Sequence, residues 1–402
     1  MSPSPLKSLR LLNSMNAEYY EAARAAPGEG KLVAYLNVFA PAELFQAMDV
    51  VQIYPENHAV FAEARKTSPA NVSVAEKAGF RAGLCSYALC DIGYALSGVS
   101  PVGGLPKPDL LVTVNSQCNV LTKWFERLSE RYRAPLVVID VPWTGGAGDR
   151  AHARAYVSAQ LGDLVAQLER LTRRRLDPER LRSVVELSNR TVRAWRRVVD
   201  SGRHVPAPVS VFDQFISMAP VVAQRGSQEA LTFYEELWAD IEGRIQRGEG
   251  ALPEERFRLY WDSLPLWHEL SWLSKLLGSH GANLVSTIYT LPWADNELDP
   301  GDPFRTWVEQ YVDYFDWHVD RRVELILSLR EKFKLNGFIY HLDRSCRMFS
   351  TPIPAIRQIV QERTGIPGFL LEADHGDARF CSLERIENGL AAYFENLEPS
   401  GK

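Results

Sequence analysis

Short apolar runs alternate with amphipathic stretches over the first third of the chain. Four of the runs have the length and composition of buried strands and fall at 31–38, 50–54, 109–114 and 135–140. A helical pattern over 120–132 separates the last two, and this order is typical of a βαβ unit in a parallel sheet. After the second run, the sequence Pro-Glu-Asn-His at 55–58 predicts a turn, with Asn57 capping a helix over 58–65.

The pattern changes after residue 149. The stretch 150–250 carries long, charged helical patterns and no strand-like run. Strand-like runs return at 257–261, 282–289, 337–342 and 368–372, with helical patterns between them. These observations predict an α/β protein with two Rossmann-like parallel-sheet domains, 1–149 and 251–402, and a mostly helical middle section, 150–250.

The composition is that of an ordinary globular protein, with 402 residues, 46% apolar and 24% charged. A formal charge of −5 gives no electrostatic basis for binding nucleic acid or an anionic membrane. No apolar run approaches the roughly 18 residues that a membrane-spanning helix needs. The N-terminal segment lacks the apolar core of a signal peptide, so we expect a cytoplasmic location.

Five cysteines are spread along the chain: Cys85, Cys90, Cys118, Cys346 and Cys381. An odd number with this wide spacing argues against a disulfide framework in a cytoplasmic protein. The remaining interpretations are buried structural residues, metal ligands and nucleophiles.

Three of these cysteines stand in similar contexts. Cys118 and Cys346 each follow a predicted strand by about four positions, and Cys85 lies where a loop enters a helix. Because ligands gather at the carboxyl ends of parallel strands, the three thiols can converge if the two sheets face each other. Three soft ligands suit a 4Fe–4S cluster or zinc. The chain has no Cys-x-x-Cys pair, however, and structural cysteines are the alternative.

The residues around these cysteines resemble the family of benzoyl-CoA reductase and 2-hydroxyacyl-CoA dehydratase catalytic subunits. The segments that carry the resemblance are CSYALCDIG at 85–93, PKPDLLVTVNSQCNVLTKWFERL at 106–128, GFIYHLDRSCRMFS at 337–350 and GIPGFLLEADHGDARFCSLERIENGLAAYFENL at 365–397. The resemblance extends in order from about residue 31 to residue 397. The segment 106–128, together with ISMAPVVAQRGSQEALTFYEEL at 216–237, looks most like the B-type subunit of benzoyl-CoA reductase.

The resemblance implies a cofactor and a reaction. By motif position, Cys85, Cys118 and Cys346 would hold a 4Fe–4S cluster, while Cys90 and Cys381 fall outside the motif and are predicted to be structural. The implied reaction is one-electron reduction of an aromatic acyl-CoA thioester such as benzoyl-CoA. The alternative within the family is radical elimination of water by a 2-hydroxyacyl-CoA dehydratase.

The resemblance also implies partners. Family members work as pairs of related subunits, so we expect a homo- or heterodimer. They receive their electron from a separate ATP-dependent activator, and this chain has no GxxxxGK[ST] phosphate loop of its own. The acyl-CoA substrate completes the set of expected partners.

A proton-transferring group is the remaining requirement. His58 and His341, both near predicted strand ends, are the candidate catalytic residues; His375, Glu56 and Asp374 are further candidates, and each can instead be structural. Two other functions stay open: a non-catalytic electron-transfer or scaffold subunit, and a metal-free ligand-binding protein.

Overall fold

Two four-stranded parallel sheets form the frame of the protein, which the computed structural model describes over residues 4–143, 150–314 and 318–398. The first sheet has the order β2-β1-β3-β4 and consists of β1 (Val33–Leu36), β2 (Val51–Ile53), β3 (Leu110–Val114) and β4 (Leu136–Ile139). The second has the order β6-β5-β7-β8 and consists of β5 (Phe257–Asp262), β6 (Ala282–Thr287), β7 (Gly337–Asp343) and β8 (Gly368–Ala373). The predicted α/β class with two parallel-sheet domains is confirmed.

Helices surround both sheets, and a group of helices also forms the stretch of chain that connects the first sheet to the second. Those around the first sheet are α1 (Leu9–Ala25), α2 (Ala42–Ala47), α3 (Pro55–Ala64), α4 (Ser68–Lys77), α5 (Ser86–Ser97) and α6 (Asn119–Tyr132). The middle section contributes α7 (Arg150–Thr172), α8 (Pro178–Asp200), α9 (Val211–Ser217), α10 (Ala219–Ala223) and α11 (Gln228–Arg247). The last group is α12 (Leu270–Ser279), α13 (Pro303–Glu309), α14 (Val319–Phe333), α15 (Arg347–Ser350), α16 (Ile353–Thr364) and α17 (Leu383–Leu397).

The strands at the centre of each sheet are buried along most or all of their length. Every residue of β1, β3 and β5 is buried, and so are six of the seven residues of β7. Strands covered by helices on both faces read as continuous apolar runs rather than as alternating patterns. This is why the sequence LLVTV of β3 could be recognised as a strand from its composition alone.

The two sheets share one topology. In the first sheet β1 pairs with β2 on one side and with β3 on the other, and in the second sheet β5 pairs with β6 and β7 in the same way. The direction in which successive strands are added to the sheet therefore reverses between β1 and β3 in the first sheet and between β5 and β7 in the second. Such switch points open a crevice at the carboxyl ends of the strands, where ligands bind in open α/β sheets.

Helix α8 connects the two halves through neighbouring residues. The hydroxyl of Ser188 donates a hydrogen bond to Oε1 of Glu43 on α2, at 2.6 Å. The amide of the next residue, Asn189, donates to the carbonyl oxygen of Leu298 in the second half, at 2.7 Å, and its Oδ1 accepts from the Leu298 backbone N–H at 2.9 Å. These buried contacts fix α8 against both halves.

One local prediction is wrong. Pro55 begins helix α3 and Tyr54 precedes it as the N-cap, so 55–58 is the first turn of a helix and Asn57 does not cap it. Proline suits the first helical position because its fixed φ matches the helix and its missing N–H would have no partner there. The predicted domain boundaries at 149 and 250 stay predictions. Within the described ranges, no helix is both long enough and apolar enough to cross a bilayer.

Candidate active site

Each of the three predicted ligand cysteines is the residue immediately before a helix. Cys85 precedes α5, Cys118 precedes α6 and Cys346 precedes α15. Cys118 lies four residues beyond the end of β3, and Cys346 lies three residues beyond the end of β7. Because β3 and β7 occupy equivalent places in their sheets, the two cysteines occupy equivalent places at the two switch points.

The three cysteines line one cavity of about 330 Å³. Both switch points contribute to it, through Val38 and Cys118 of the first half and Leu264 and Cys346 of the second. Cys85, at the start of α5, completes the set. The convergence that the sequence left as one of two alternatives is therefore present in the folded chain.

The donor atoms bear on the metal that the site suits. Three cysteine thiols at one cavity suit a 4Fe–4S cluster or zinc. Three other described residues, Asp343, Asp374 and His375, place ligand atoms within 4.8 Å of one another.

The partly buried thiols of Cys118 and Cys346 are poor nucleophiles in this environment. Burial raises the pKa of Cys118 to about 12, against the opposing effect of backbone N–H groups in the first turn of α6. Burial also raises the pKa of Cys346 far above the ordinary thiol value. A thiol is activated by a lowered pKa. The environment therefore argues against covalent catalysis by these two residues; metal coordination would deprotonate such a thiol directly.

A buried aspartate lies beside the Cys346 loop. Asp343, the last residue of β7, accepts a hydrogen bond at Oδ2 from Nδ1 of His375, at 2.8 Å. Its Oδ1 accepts from the backbone N–H groups of Ser345 and Cys346, at 3.1 and 3.3 Å. Burial alone would raise the pKa of the Asp343 carboxyl, but the charge and hydrogen bond of His375 outweigh burial and lower that pKa to about 2.

His375 links this aspartate to a second cysteine. It is fully buried, and the nearby Cys85 thiol is one of the groups that act on the pKa of its imidazole. Burial would lower the pKa of the imidazole, yet the Asp343 carboxylate outweighs burial and raises that pKa well above the ordinary histidine value. Asp343 and His375 thus form a charged pair behind two of the three cysteines.

Glu56 is the one carboxylate among the described residues that line the cavity. Its Oε2 accepts from the backbone N–H of Val38 at 2.7 Å, and its Oε1 accepts from the side-chain amide of Gln117 at 3.1 Å. Gln117 in turn accepts from the side-chain amide of Asn37 at 3.0 Å. Burial raises the pKa of Glu56 to about 7 despite these hydrogen bonds.

The two histidines predicted to be catalytic lie away from the cavity. His58 is fully buried, its Nε2 lies 2.9 Å from the hydroxyl of Ser100, and its ring packs against Tyr94. His341 is also fully buried, with Nδ1 2.7 Å from the carbonyl oxygen of Leu264, and burial lowers its pKa. Neither histidine lines the cavity, so their catalytic role stays a prediction without support from geometry.

The two remaining cysteines lie outside the cavity, as the motif positions predicted. Cys90 is fully buried inside α5 and Cys381 follows a short turn before α17; neither lines the cavity. Gln117 and Asp343 were missed in the sequence. The sequence contained a feature that could have identified them: both are polar residues within three positions of a cysteine that follows a predicted strand.

The fold and the cavity define an α/β protein with a cavity between the carboxyl ends of two parallel sheets, lined by three cysteines. The sequence comparisons name the family. The chain belongs to the family described as "2-hydroxyglutaryl-CoA dehydratase, D-component", whose model matches residues 37–397. It is thus an enzyme subunit of the benzoyl-CoA reductase and 2-hydroxyacyl-CoA dehydratase type, and the resemblance predicted from the motifs is confirmed.

Three relatives are similar to most of the chain. The alpha subunit of lactoyl-CoA dehydratase from Anaerotignum propionicum is 30% identical, over 98% of this chain and 97% of the relative. The alpha subunit of (R)-2-hydroxyisocaproyl-CoA dehydratase from Clostridioides difficile is 27% identical, over 98% and 96%. The B-type subunit of benzoyl-CoA reductase from Thauera aromatica is 29% identical, over 90% and 88%.

Proposed function

We propose that this chain is the subunit of a 2-hydroxyacyl-CoA dehydratase that holds a 4Fe–4S cluster on Cys85, Cys118 and Cys346. The observation that carries the proposal is that these three cysteines, from two separate halves of the chain, line one cavity together with Glu56. Most of the relatives found are dehydratase subunits, which favours the dehydratase over the reductase that the motifs suggested first.

The donor set fits the proposed cofactor. Thiolates are the protein ligands of 4Fe–4S clusters, and three cysteines line this one cavity. A cluster bound by three cysteines leaves one iron without a thiolate and supplies single electrons at low potential. Most side chains that line the cavity are apolar, and a pocket that excludes water would protect one-electron chemistry from side reactions.

Glu56 is the residue we propose for proton transfer, in place of His58 and His341. Elimination of water from a 2-hydroxyacyl group removes the hydroxyl from C2 and a proton from C3. A carboxyl whose pKa lies at about 7 can both accept and release a proton at neutral pH. The hydrogen bonds from Val38 and Gln117 hold the carboxylate in place at the cavity wall.

The proposal includes partners. The relatives found are alpha-type or B-type subunits of larger enzymes, which supports a related subunit for this chain, in a homo- or heterodimer. We propose a separate ATP-dependent activator as electron donor, as the resemblance to this family implies; this chain has no GxxxxGK[ST] phosphate loop of its own. Neither nucleic acid nor a membrane is part of the proposed function.

Reduction of an aromatic thioester is the second candidate. Several aromatic side chains line the cavity and could accept an aromatic ring as well as an aliphatic chain. They include Trp124, Phe215, Trp267 and Tyr289. The similarity to a subunit of benzoyl-CoA reductase supports the same candidate.

Iron content tests the cofactor. We expect the anaerobically purified protein to contain about four irons per chain and the Cys118→Ala variant to lose most of them. Cys381→Ala is the matched control, because this cysteine lies outside the cavity, and it should keep its iron. A well-folded protein without iron in either form would refute the cluster.

Turnover tests the reaction. With a reduced activator, we expect a 2-hydroxyacyl-CoA to lose water and give the enoyl thioester, detected by mass spectrometry. Reduction of benzoyl-CoA without any dehydration would select the second candidate. Iron-loaded protein that is inactive on both thioesters would contradict both reactions while leaving the cofactor in place.

A further inference from the structure

Four buried apolar side chains form part of the cavity lining. We call this set the inner wall and define it as Met218, Val222, Ile288 and Trp293, which line the cavity and are each less than 10% exposed. The Trp293 ring stacks on Phe39, with ring centroids 5.0 Å apart and planes 2° from parallel. The wall is thus held rigidly by aromatic packing and presents hydrocarbon to any bound group.

Charge is distributed unevenly along the cavity. Among the described residues that line it, Arg65 is the one cationic side chain, and it is exposed to solvent. Arg65 donates to the carbonyl oxygen of Pro101 at 2.7 Å and lies over the ring of Phe61. The one buried carboxylate of the lining, Glu56, would repel a second carboxylate when ionised.

A buried cation does lie behind the inner wall, but its bonds are already made. The guanidinium of Arg225 lies over the Trp293 ring at 5.5 Å, outside the cavity lining. Its Nε donates to Oε1 of Glu43 at 2.9 Å and its Nη1 donates to the carbonyl oxygen of Val222 at 3.0 Å. A carboxylate on the substrate would have to break this buried ion pair to gain a partner.

Resting on the dehydratase reaction proposed above, we infer that the cavity selects a 2-hydroxyacyl group with a bulky hydrocarbon side chain, branched aliphatic or aromatic. Such a side chain fills the space against the inner wall and leaves no polar group unpaired. A carboxylate side chain would be buried without a cation, which is strongly unfavourable. A methyl side chain would leave most of the inner wall without contact.

We expect a large difference in binding affinity between the bulky hydrocarbon thioesters and the two poor ligands, lactoyl-CoA and 2-hydroxyglutaryl-CoA. One methylene group in an apolar pocket changes selectivity by about tenfold or more. We therefore expect 2-hydroxyisocaproyl-CoA and phenyllactyl-CoA to bind at least about tenfold more tightly than lactoyl-CoA. 2-Hydroxyglutaryl-CoA should be disfavoured by at least the same factor, because its side chain carries an unpaired charge into the cavity.

Equilibrium binding of these four thioesters to the anaerobically purified complex, followed by calorimetry, tests the inference. Val222→Phe should fill the space at the inner wall and lower the binding affinity for the two bulky thioesters at least about tenfold. The difference between their affinities and that of lactoyl-CoA should therefore become smaller. Val99→Phe makes the same change at an exposed valine outside the cavity and should leave all four affinities as they are.

The outcomes separate this inference from the proposed function. If lactoyl-CoA or 2-hydroxyglutaryl-CoA binds as tightly as the bulky thioesters, or Val222→Phe has no more effect than Val99→Phe, the inference is wrong and the dehydratase can still stand. If the bulky thioesters bind as expected and none loses water, the inference about the cavity holds and the proposed reaction fails. If none of the four binds, both are wrong.

Discussion

The carboxylate of Asp343 binds the imidazole of His375 through one oxygen and the backbone of the Cys346 loop through the other. Both side chains are buried, and His375 has the Cys85 thiol as a neighbour. One carboxylate thereby orients groups next to two cysteines that lie more than 250 residues apart in the sequence. Such partners of ligand residues fix ligand orientation in metal sites.

Replacing Asp343 with Asn should loosen this arrangement. The amide keeps the shape but not the charge, so His375 loses its anionic partner, and we expect unfolding free energy to fall by about 3 kcal/mol. Iron content should fall as well, because the Cys346 loop loses its anchor. Urea unfolding and iron analysis measure both effects. Asp163→Asn, on an exposed part of α7, is the control and should change neither; equal effects from the two variants would contradict the assigned role.

Glu56→Gln tests proton transfer. Glutamine retains an oxygen that can accept from Val38 but cannot accept a proton, so we expect the turnover number to fall by about 100-fold or more while KM stays within about threefold. Steady-state kinetics with a 2-hydroxyacyl-CoA measure both constants. Glu21→Gln, an exposed carboxylate on α1, should leave both unchanged. A Glu56→Gln variant with wild-type turnover would exclude this carboxylate as the base.

Glu56 also makes stability depend on pH. Burial raises its pKa from 4.5 to about 7, so the folded state holds a proton that the unfolded state has released. The stabilisation is fully present below pH 4.5 and is lost as pH rises to about 7, by up to about 3 kcal/mol. The wild-type unfolding free energy, measured relative to Glu56→Gln by urea titration, should fall over this interval. A constant difference between pH 4.5 and 7 would show that the carboxyl is not desolvated.

The buried ion pair between Arg225 and Glu43 allows a double-variant test. Glu43 accepts from Arg225 at 2.9 Å and from Ser188 at 2.6 Å, with both charged side chains almost fully buried. Arg225→Met should lower the unfolding free energy by about 3–5 kcal/mol, because it leaves a buried carboxylate without its cation. Arg225→Met with Glu43→Leu should recover much of that loss. Equal losses in the single and double variants would argue against a coupled pair.

Gly93 allows close contact between α5 and α4. A Cβ atom at this position would lie 1.9 Å from the carbonyl oxygen of Asn71. Gly93→Ala should therefore push the helices apart, lower the unfolding free energy by about 1–3 kcal/mol and disturb Cys85 at the start of α5. Gly162→Ala, in α7 with nothing within 4 Å of the added atom, should instead stabilise slightly. Thermal unfolding of both variants measures the contrast; matching shifts would contradict the close approach.

The motifs and strand positions could be predicted because they depend on local sequence. Buried parallel strands appear in the sequence as continuous apolar runs. Two of the cysteines follow such runs, so they must lie near the carboxyl ends of β3 and β7. The start of α3 was misjudged because proline is compatible with both a turn and the first turn of a helix. His58 and His341 were singled out by the same rule as the cysteines, yet their side chains face other buried groups.

The sequence by itself determined the α/β class, the two parallel sheets, the helical middle section and the family. Only the tertiary structure decided that Cys85, Cys118 and Cys346 meet in one apolar cavity, that Glu56 lies in its wall, and that Asp343 and His375 stand behind the cysteines. The reason is physical: periodicity and strand ends are local properties of the chain. Which distant segments face each other depends instead on long-range packing, such as that of α8 between the two halves.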